Sequence, residues 1–162
     1  MTPTGSERVM SAFGKDVHHV YLPYDLPCAM NRFLETVRPK LVIVMETELW
    51  PNMISALHAR KIPLVIANAR LSERSAKGYG KLGKFMRRLL SKITLIAAQN
   101  EEDAARFISL GLKRNQLAVT GSLKFDISVT PELAARAITL RRQWAPRRQV
   151  WIATSTHDGE EA

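Results

Sequence analysis

Short aliphatic runs recur along this chain, separated by stretches with helical punctuation, and that alternation constrains its fold more than any other feature. Runs at residues 17–21, 40–45, 62–68, 93–97, 116–120 and 149–153 have the length and Val/Ile/Leu content of strands. The intervening segments carry helix signals. Thr4 with Glu7 forms a capping box that opens a short helix to about Phe13. Residues 26–37 form a second helix, stopped near Pro39, and residues 52–60 a third. Ser72 caps a long basic helix running to Ser91. Asn100, followed by Glu101, Glu102 and Asp103, opens the next helix, and Gly111 closes it. Thr130 and Pro131 supply an N-cap and a first-turn proline for a helix ending before Pro146. Alternating β and α elements with short connections predict an α/β fold with a doubly wound, parallel, Rossmann-like sheet. No repeat or low-complexity segment interrupts it.

At 162 residues with 46% apolar content, the chain can bury a substantial core. Its longest aliphatic run, residues 41–45, is far too short for a transmembrane helix, and the start lacks the basic and apolar regions of a signal peptide. The single Cys28 cannot make an internal disulfide, so a reduced, cytoplasmic compartment is expected. Both ends read as cut. The first capped helix follows no strand, and the run at residues 149–153 leads into a loop and helix start that go no further. A terminal parallel strand without a crossover helix cannot bury both faces.

The net charge of +9 is uneven: residues 72–92 hold seven basic side chains against Glu73. Such a patch suits an anionic partner, whether nucleic acid, lipid headgroups or a phosphorylated substrate. At helical spacing Lys77, Lys81, Lys84 and Arg88 share one face. A surface helix of an α/β domain is amphipathic in any case, but the density of one sign favours an anionic lipid surface or substrate. Aromatic residues are few and no nucleic-acid-binding signature is present, so nucleic acid is not the expected partner.

Ligands of open α/β sheets bind beyond the carboxyl ends of the strands. Glu46 and Glu48 follow the run 41–45, which reads as a buried parallel strand. They are a poor metal pair, because alternate residues of an extended segment stand roughly 6–7 Å apart. An acid/base or substrate-orienting role suits Glu46. Glu48 is equally suited to capping the helix that begins near Pro51. After the next strand come Asn68 and Arg70, able to bind a carboxylate or phosphate, or to serve as a turn residue and a surface arginine. Ser122 and Lys124 follow the run 116–120, where Lys124 offers a positive charge to a departing anion or is an ordinary hinge lysine. Ser155, Thr156 and His157 place hydroxyls and N–H groups at a helix start, an anion site. No metal-ligand spacing of Cys and His appears, and no Gly-x-Ser-x-Gly elbow supports a serine nucleophile.

The blocks at residues 45–52 (Met-Glu-Thr-Glu-Leu-Trp-Pro-Asn), 66–72, 120–126 and 153–160 together resemble bacterial 3-deoxy-D-manno-octulosonic acid (Kdo) transferases over essentially the whole chain. The resemblance implies a B-type glycosyltransferase fold of two Rossmann-like domains. It further implies transfer of Kdo from CMP-Kdo to the lipid A precursor, at the cytoplasmic face of the inner membrane and with no metal or other cofactor. The family's transition-state-stabilising carboxylate and lysine match Glu46 and Lys124. Its general base, a glutamate in a Ser-Val-Gly-Glu loop, and its membrane anchor have no counterpart in these residues.

On this reading residues 1–128 are part of an acceptor-binding domain, 129–148 a linker helix, and 149–162 the first strand and loop of a CMP-sugar domain. Glu48, Asn68, Arg70, Ser122, Ser155, Thr156 and His157 are candidate substrate contacts, and little or no activity is expected of these residues alone. The rival reading is a non-catalytic basic α/β module that binds anionic membrane or nucleic acid through residues 72–92.

Overall fold

A computed structural model of the chain describes residues 3–126, 128–144, 147–152 and 154–155. They divide into two compact units, Met1–Phe125 and Asp126–Ala162.

The first unit opens with helices α1 (Pro3–Phe13) and α2 (Pro27–Val37). It then alternates β1 (Val42–Met45), α3 (Pro51–Ala59), β2 (Leu64–Ala69), α4 (Glu73–Gly80), α5 (Lys84–Leu90), β3 (Leu95–Ala98), α6 (Glu101–Ser109) and β4 (Leu117–Val119). The sheet is parallel, in the order β1-β2-β3-β4. Right-handed crossovers between strands laid down in one direction put their helices on one face. Burial follows from that. Leu64, Ile66 and Ile96 are fully buried beneath Met30, Ile54, Leu57, Leu90 and Phe107. Val65, Ala67, Leu95 and Ala97, pointing the other way, are half-buried.

This pattern corrects the expectation of a buried strand at residues 41–45. Val42 and Val44 pack on the core, but Ile43 and Met45 are exposed because β1 is an edge strand covered on one face only. The strand order does not reverse among the described residues, and their four-stranded parallel sheet has the expected Rossmann-like α/β character.

Two predicted strands do not form among the described residues, and Ala153, the last residue of the second, lies outside them. Residues 17–21 run as exposed chain outside the sheet, and so do residues 149–152, where Trp151 and Ile152 are exposed. A strand is stabilised by its ladder, and neither segment has a neighbouring strand to pair with among the described residues. Thr4 lies within α1 rather than at its cap.

The long basic helix expected from Ser72 to Ser91 is two helices. Ser72 caps the first, its Oγ accepting from the Ser75 N–H at 3.2 Å. The second begins after Gly83, whose φ of +47° and ψ of −115° suit glycine alone. The chain turns over residues 81–83, so Lys77, Lys81, Lys84 and Arg88 do not line one continuous helix face. Lys77 pairs with Glu73 at 2.7 Å, and Lys92 donates to Ser55 Oγ at 2.8 Å. Arg87 lies over Gly111, where an added Cβ would stand 2.8 Å from its Cγ. Packing and pairing therefore occupy part of the basic segment's charge.

The second unit carries α7 (Pro131–Trp144), opened by Thr130 Oγ1 accepting from the Leu133 N–H at 3.3 Å. Hydrogen bonds from the Glu132 backbone and from Thr130 hold the Glu132 carboxyl below its ordinary range.

Candidate active site

The carboxyl ends of β1 and β2 stand side by side, because Val44 pairs with Ile66 and Met45 with Ala67. The Glu46 N–H extends the ladder by one bond, donating to Ala67 C=O at 2.8 Å. There the chain breaks away sharply. Glu46 has φ +62°, and the Glu48 N–H turns back onto Glu46 C=O at 3.1 Å. A glutamate in the left-handed region is strained, and such strain is concentrated at functional sites. Its side chain is exposed and makes no hydrogen bond or ion pair among the described residues.

An open cleft of about 290 Å³ lies here, lined by Glu46, Thr47, Glu48, Arg70, Leu71, Ser72, Ser75 and Tyr79. Glu48 does not cap α3. Its Oε2 accepts from Trp50 Nε1 at 2.8 Å, and the helix is capped by Asp25 instead. Arg70 is exposed, and its guanidinium likewise has no partner among the described residues. The cleft thus combines a free carboxylate with a free guanidinium. Such a pair can accept hydrogen bonds from sugar hydroxyls and grip a carboxylate or phosphate.

Asn68 is placed by a bulge: three residue steps from Ile66 to Ala69 face two from Ile96 to Ala98. At φ +53° its C=O accepts from Gln99 Nε2 at 3.1 Å, and its Oδ1 from the Leu123 N–H at 3.4 Å. Asn68 therefore braces the short 3-10 turn Leu123–Phe125 that carries Lys124. Ser122 Oγ accepts from the Lys124 N–H at 3.4 Å, within that same turn. Lys124 itself is exposed and does not line the Glu46 cleft.

Lys77 and Lys81 line a separate shallow groove with Glu73, Arg74 and Gly78, while Lys84 and Arg88 are exposed on α5. Ser155 belongs to the second unit, with φ +57°. Thr156 and His157 lie outside the described residues. No group of three His, Cys, Asp or Glu side chains among the described residues is arranged to hold a metal ion.

The sequence pattern alone passed over Thr47, Tyr79, Asp103 and Arg106. Thr47 sits between two more conspicuous glutamates. Asp103 reads as one more acid at a helix start, although it is only 3% exposed.

The 3-deoxy-D-manno-octulosonic-acid transferase family model matches residues 1–127. The chain belongs to that family. It is 51% identical over 160 residues to the 3-deoxy-D-manno-octulosonic acid transferase of Haemophilus influenzae, covering 99% of this chain and 38% of that protein. The Bordetella pertussis transferase is 36% identical over 168 residues, with the same coverage. The probable mitochondrial transferase of Arabidopsis thaliana is 34% identical over 164 residues, covering 99% and 37%. The chain therefore spans under two fifths of the length of these relatives. Its four-stranded parallel α/β unit is consistent with the family's N-terminal Rossmann-like domain. No described helix is long and apolar enough to cross a membrane.

Proposed function

We propose that this chain supplies the acceptor-side portion of a Kdo transferase, which transfers Kdo from CMP-Kdo to the lipid A precursor. The observation that carries the proposal is Glu46: an unpaired carboxylate held at φ +62° at a strand's carboxyl end, in one cleft with the unpaired Arg70. In the reaction the acceptor hydroxyl attacks the anomeric carbon of Kdo, the bond to the CMP phosphate breaks, and CMP departs. Positive charge develops on the sugar and negative charge on the leaving phosphate. Glu46 opposes the first by electrostatics, and Lys124 neutralises the second. Arg70 orients an oxyanion of the substrates through its planar fork. The base that takes the acceptor proton is assigned outside these residues.

Glu48 and Asn68 act more as supports than as ligands, since Trp50 and Leu123 occupy their polar atoms. Residues 1–128 are read as acceptor-side domain, 129–148 as a linker containing α7, and 149–162 as the entry to the CMP-sugar domain. Ser155, Thr156 and His157 are kept as donor contacts there. The exposed Lys81, Lys84 and Arg88 are read as contacts to an anionic membrane, which supports a site at the cytoplasmic face of the inner membrane.

A chimera tests this directly. The 160 aligned residues replace the corresponding segment of the H. influenzae transferase, and Kdo transfer from CMP-Kdo to the lipid A precursor is measured. The chimera is expected to transfer Kdo, and the 162-residue chain alone to show at most a trace. Glu46→Gln or Lys124→Ala in the chimera is expected to lower kcat by about 10²-fold or more. An inactive but folded chimera, or one indifferent to both substitutions, contradicts the assignment.

A further inference from the structure

The peptide that carries Arg70 is held by side chains on two sides, and nothing in the catalytic reading requires that. On one side Thr47 Oγ1 accepts from the Arg70 N–H at 3.0 Å and donates to the Arg70 C=O. On the other, Asp103 Oδ1 accepts from the Leu71 N–H at 3.0 Å, while Arg106 Nη1 donates to the Leu71 C=O at 3.1 Å. Four successive backbone polar groups are thus satisfied by three side chains from two different loops or helices. Asp103 and Arg106 are themselves paired at 3.0 Å, and Asp103 is fixed in turn by its N–H donating to Asn100 Oδ1 at 2.8 Å.

Leu71 is only 1% exposed, so its N–H and C=O need partners within the protein, whereas Arg70 is exposed and water alone could satisfy its N–H and C=O. Meeting the need of Leu71 with an ion pair that includes a buried carboxylate is costly, and the Thr47 bonds to the exposed Arg70 peptide come on top of it. Meanwhile the Arg70 side chain itself is left without a partner at the rim of the cleft. Backbone held on both sides with a free guanidinium is the arrangement of a preorganised ligand-binding residue.

We propose that Thr47, Asp103 and Arg106 are positioning residues that form a clamp on Arg70 and Leu71, aiming the Arg70 guanidinium at an oxyanion of the substrate. This rests on the reading of Arg70 as an oxyanion ligand. The oxyanion is the carboxylate of the sugar acid or a phosphate of the lipid acceptor. Thr47 joins the clamp to the Glu46 turn, so the two charged groups of the cleft are set by one hydroxyl. The charge of the Asp103–Arg106 pair is spent within the clamp and leaves Arg70 uncompensated.

The test is an NMR titration of the Arg70 Nε–Hε resonance in the chain, with free Kdo and with inorganic phosphate, alongside hydrogen exchange of the Arg70 and Leu71 amides. The native chain and Thr47→Ser, which keeps the hydroxyl, are expected to bind alike. Thr47→Val, which keeps the shape, is expected to expose the Arg70 amide and weaken anion binding at least about tenfold. Arg106→Met withdraws the donor from the other side, with the same expected loss, and keeps the test open should Thr47→Val unfold. A response to Kdo alone assigns the sugar carboxylate, and a response to phosphate alone assigns a phosphate of the substrates. Native-like binding by folded Thr47→Val and Arg106→Met overturns the clamp while leaving Arg70 a ligand. If neither anion moves Arg70 in the native chain, the reading of Arg70 falls and the proposal with it.

Discussion

Asp25 caps α3 through the N–H groups of Asn52 and Met53. Its Oδ2 accepts from the Asn52 N–H at 3.0 Å and its Oδ1 from the Met53 N–H at 2.8 Å, while Asn52 Nδ2 donates back to Asp25 C=O at 2.6 Å. The acceptor for the helix's orphan N–H groups comes from the segment before α2, so it ties that segment to α3. Asp25→Ala is expected to destabilise the fold by about 1–3 kcal/mol, because two part-buried N–H groups lose a charged acceptor. Urea unfolding measures this. Asp25→Asn, which keeps one acceptor oxygen, should lose less, and equal losses from both would count against the cap.

Glu46 gives a prediction in which stability and chemistry separate. At φ +62° any residue with a Cβ is strained, so Glu46→Gly should be more stable than Glu46→Ala by about 1 kcal/mol. Both remove the carboxylate and should lower transfer equally in the chimera, by about 10²-fold or more. Thermal melting of the pair checks the first statement, and the transfer assay the second.

Gly83 and Gly111 differ in what surrounds them. Gly83 has open space about its missing Cβ, so Gly83→Ala carries backbone strain alone, about 1–2 kcal/mol. At Gly111 a Cβ also meets Arg87 Cγ at 2.8 Å, so Gly111→Ala should cost more. Combining Gly111→Ala with Arg87→Ala should recover the excess. A chemical-denaturation cycle over the four proteins reads that coupling.

Asp103→Ala is expected to be the most damaging single change near the cleft. It leaves the buried Leu71 N–H without its acceptor and takes one of two carboxylate partners from Arg106, at a cost of about 1–3 kcal/mol. Glu102→Ala removes only the exposed end of the same network, an ion pair at 3.2 Å, and should cost less than about 1 kcal/mol. Similar losses from the two would mean that burial does not set the energetics here.

If the basic segment meets membrane, binding of the chain to phosphatidylglycerol-containing vesicles should fall steeply with salt. Replacing Lys81, Lys84 and Arg88 by Ala should each remove about 1 kcal/mol of that binding. Co-sedimentation at two salt concentrations tests this, and oligonucleotide binding of equal strength would favour the nucleic-acid module instead.

What the sequence by itself determined is local. Four strands lie within one or two residues of their predicted places, and Ser72, Asn100 and Thr130 act as the caps their side chains suggest. These signals are read over a few neighbouring residues, through periodicity and short-range hydrogen bonding, so the α/β class and the family were legible. The break at Gly83 was locally written too, but the run of helix-forming residues around it masked it.

Only tertiary structure decided which groups meet. The cap on α3 comes from Asp25 rather than Glu48. The exposed face of β1 follows from strand order, and the clamp on Arg70 joins side chains from the β1 loop and from α6. Hydrogen bonds between residues tens of positions apart depend on how the strands are ordered and how the crossovers turn. No window of sequence holds that information, so Thr47 and Asp103 take their importance from the fold and not from their neighbours in the chain.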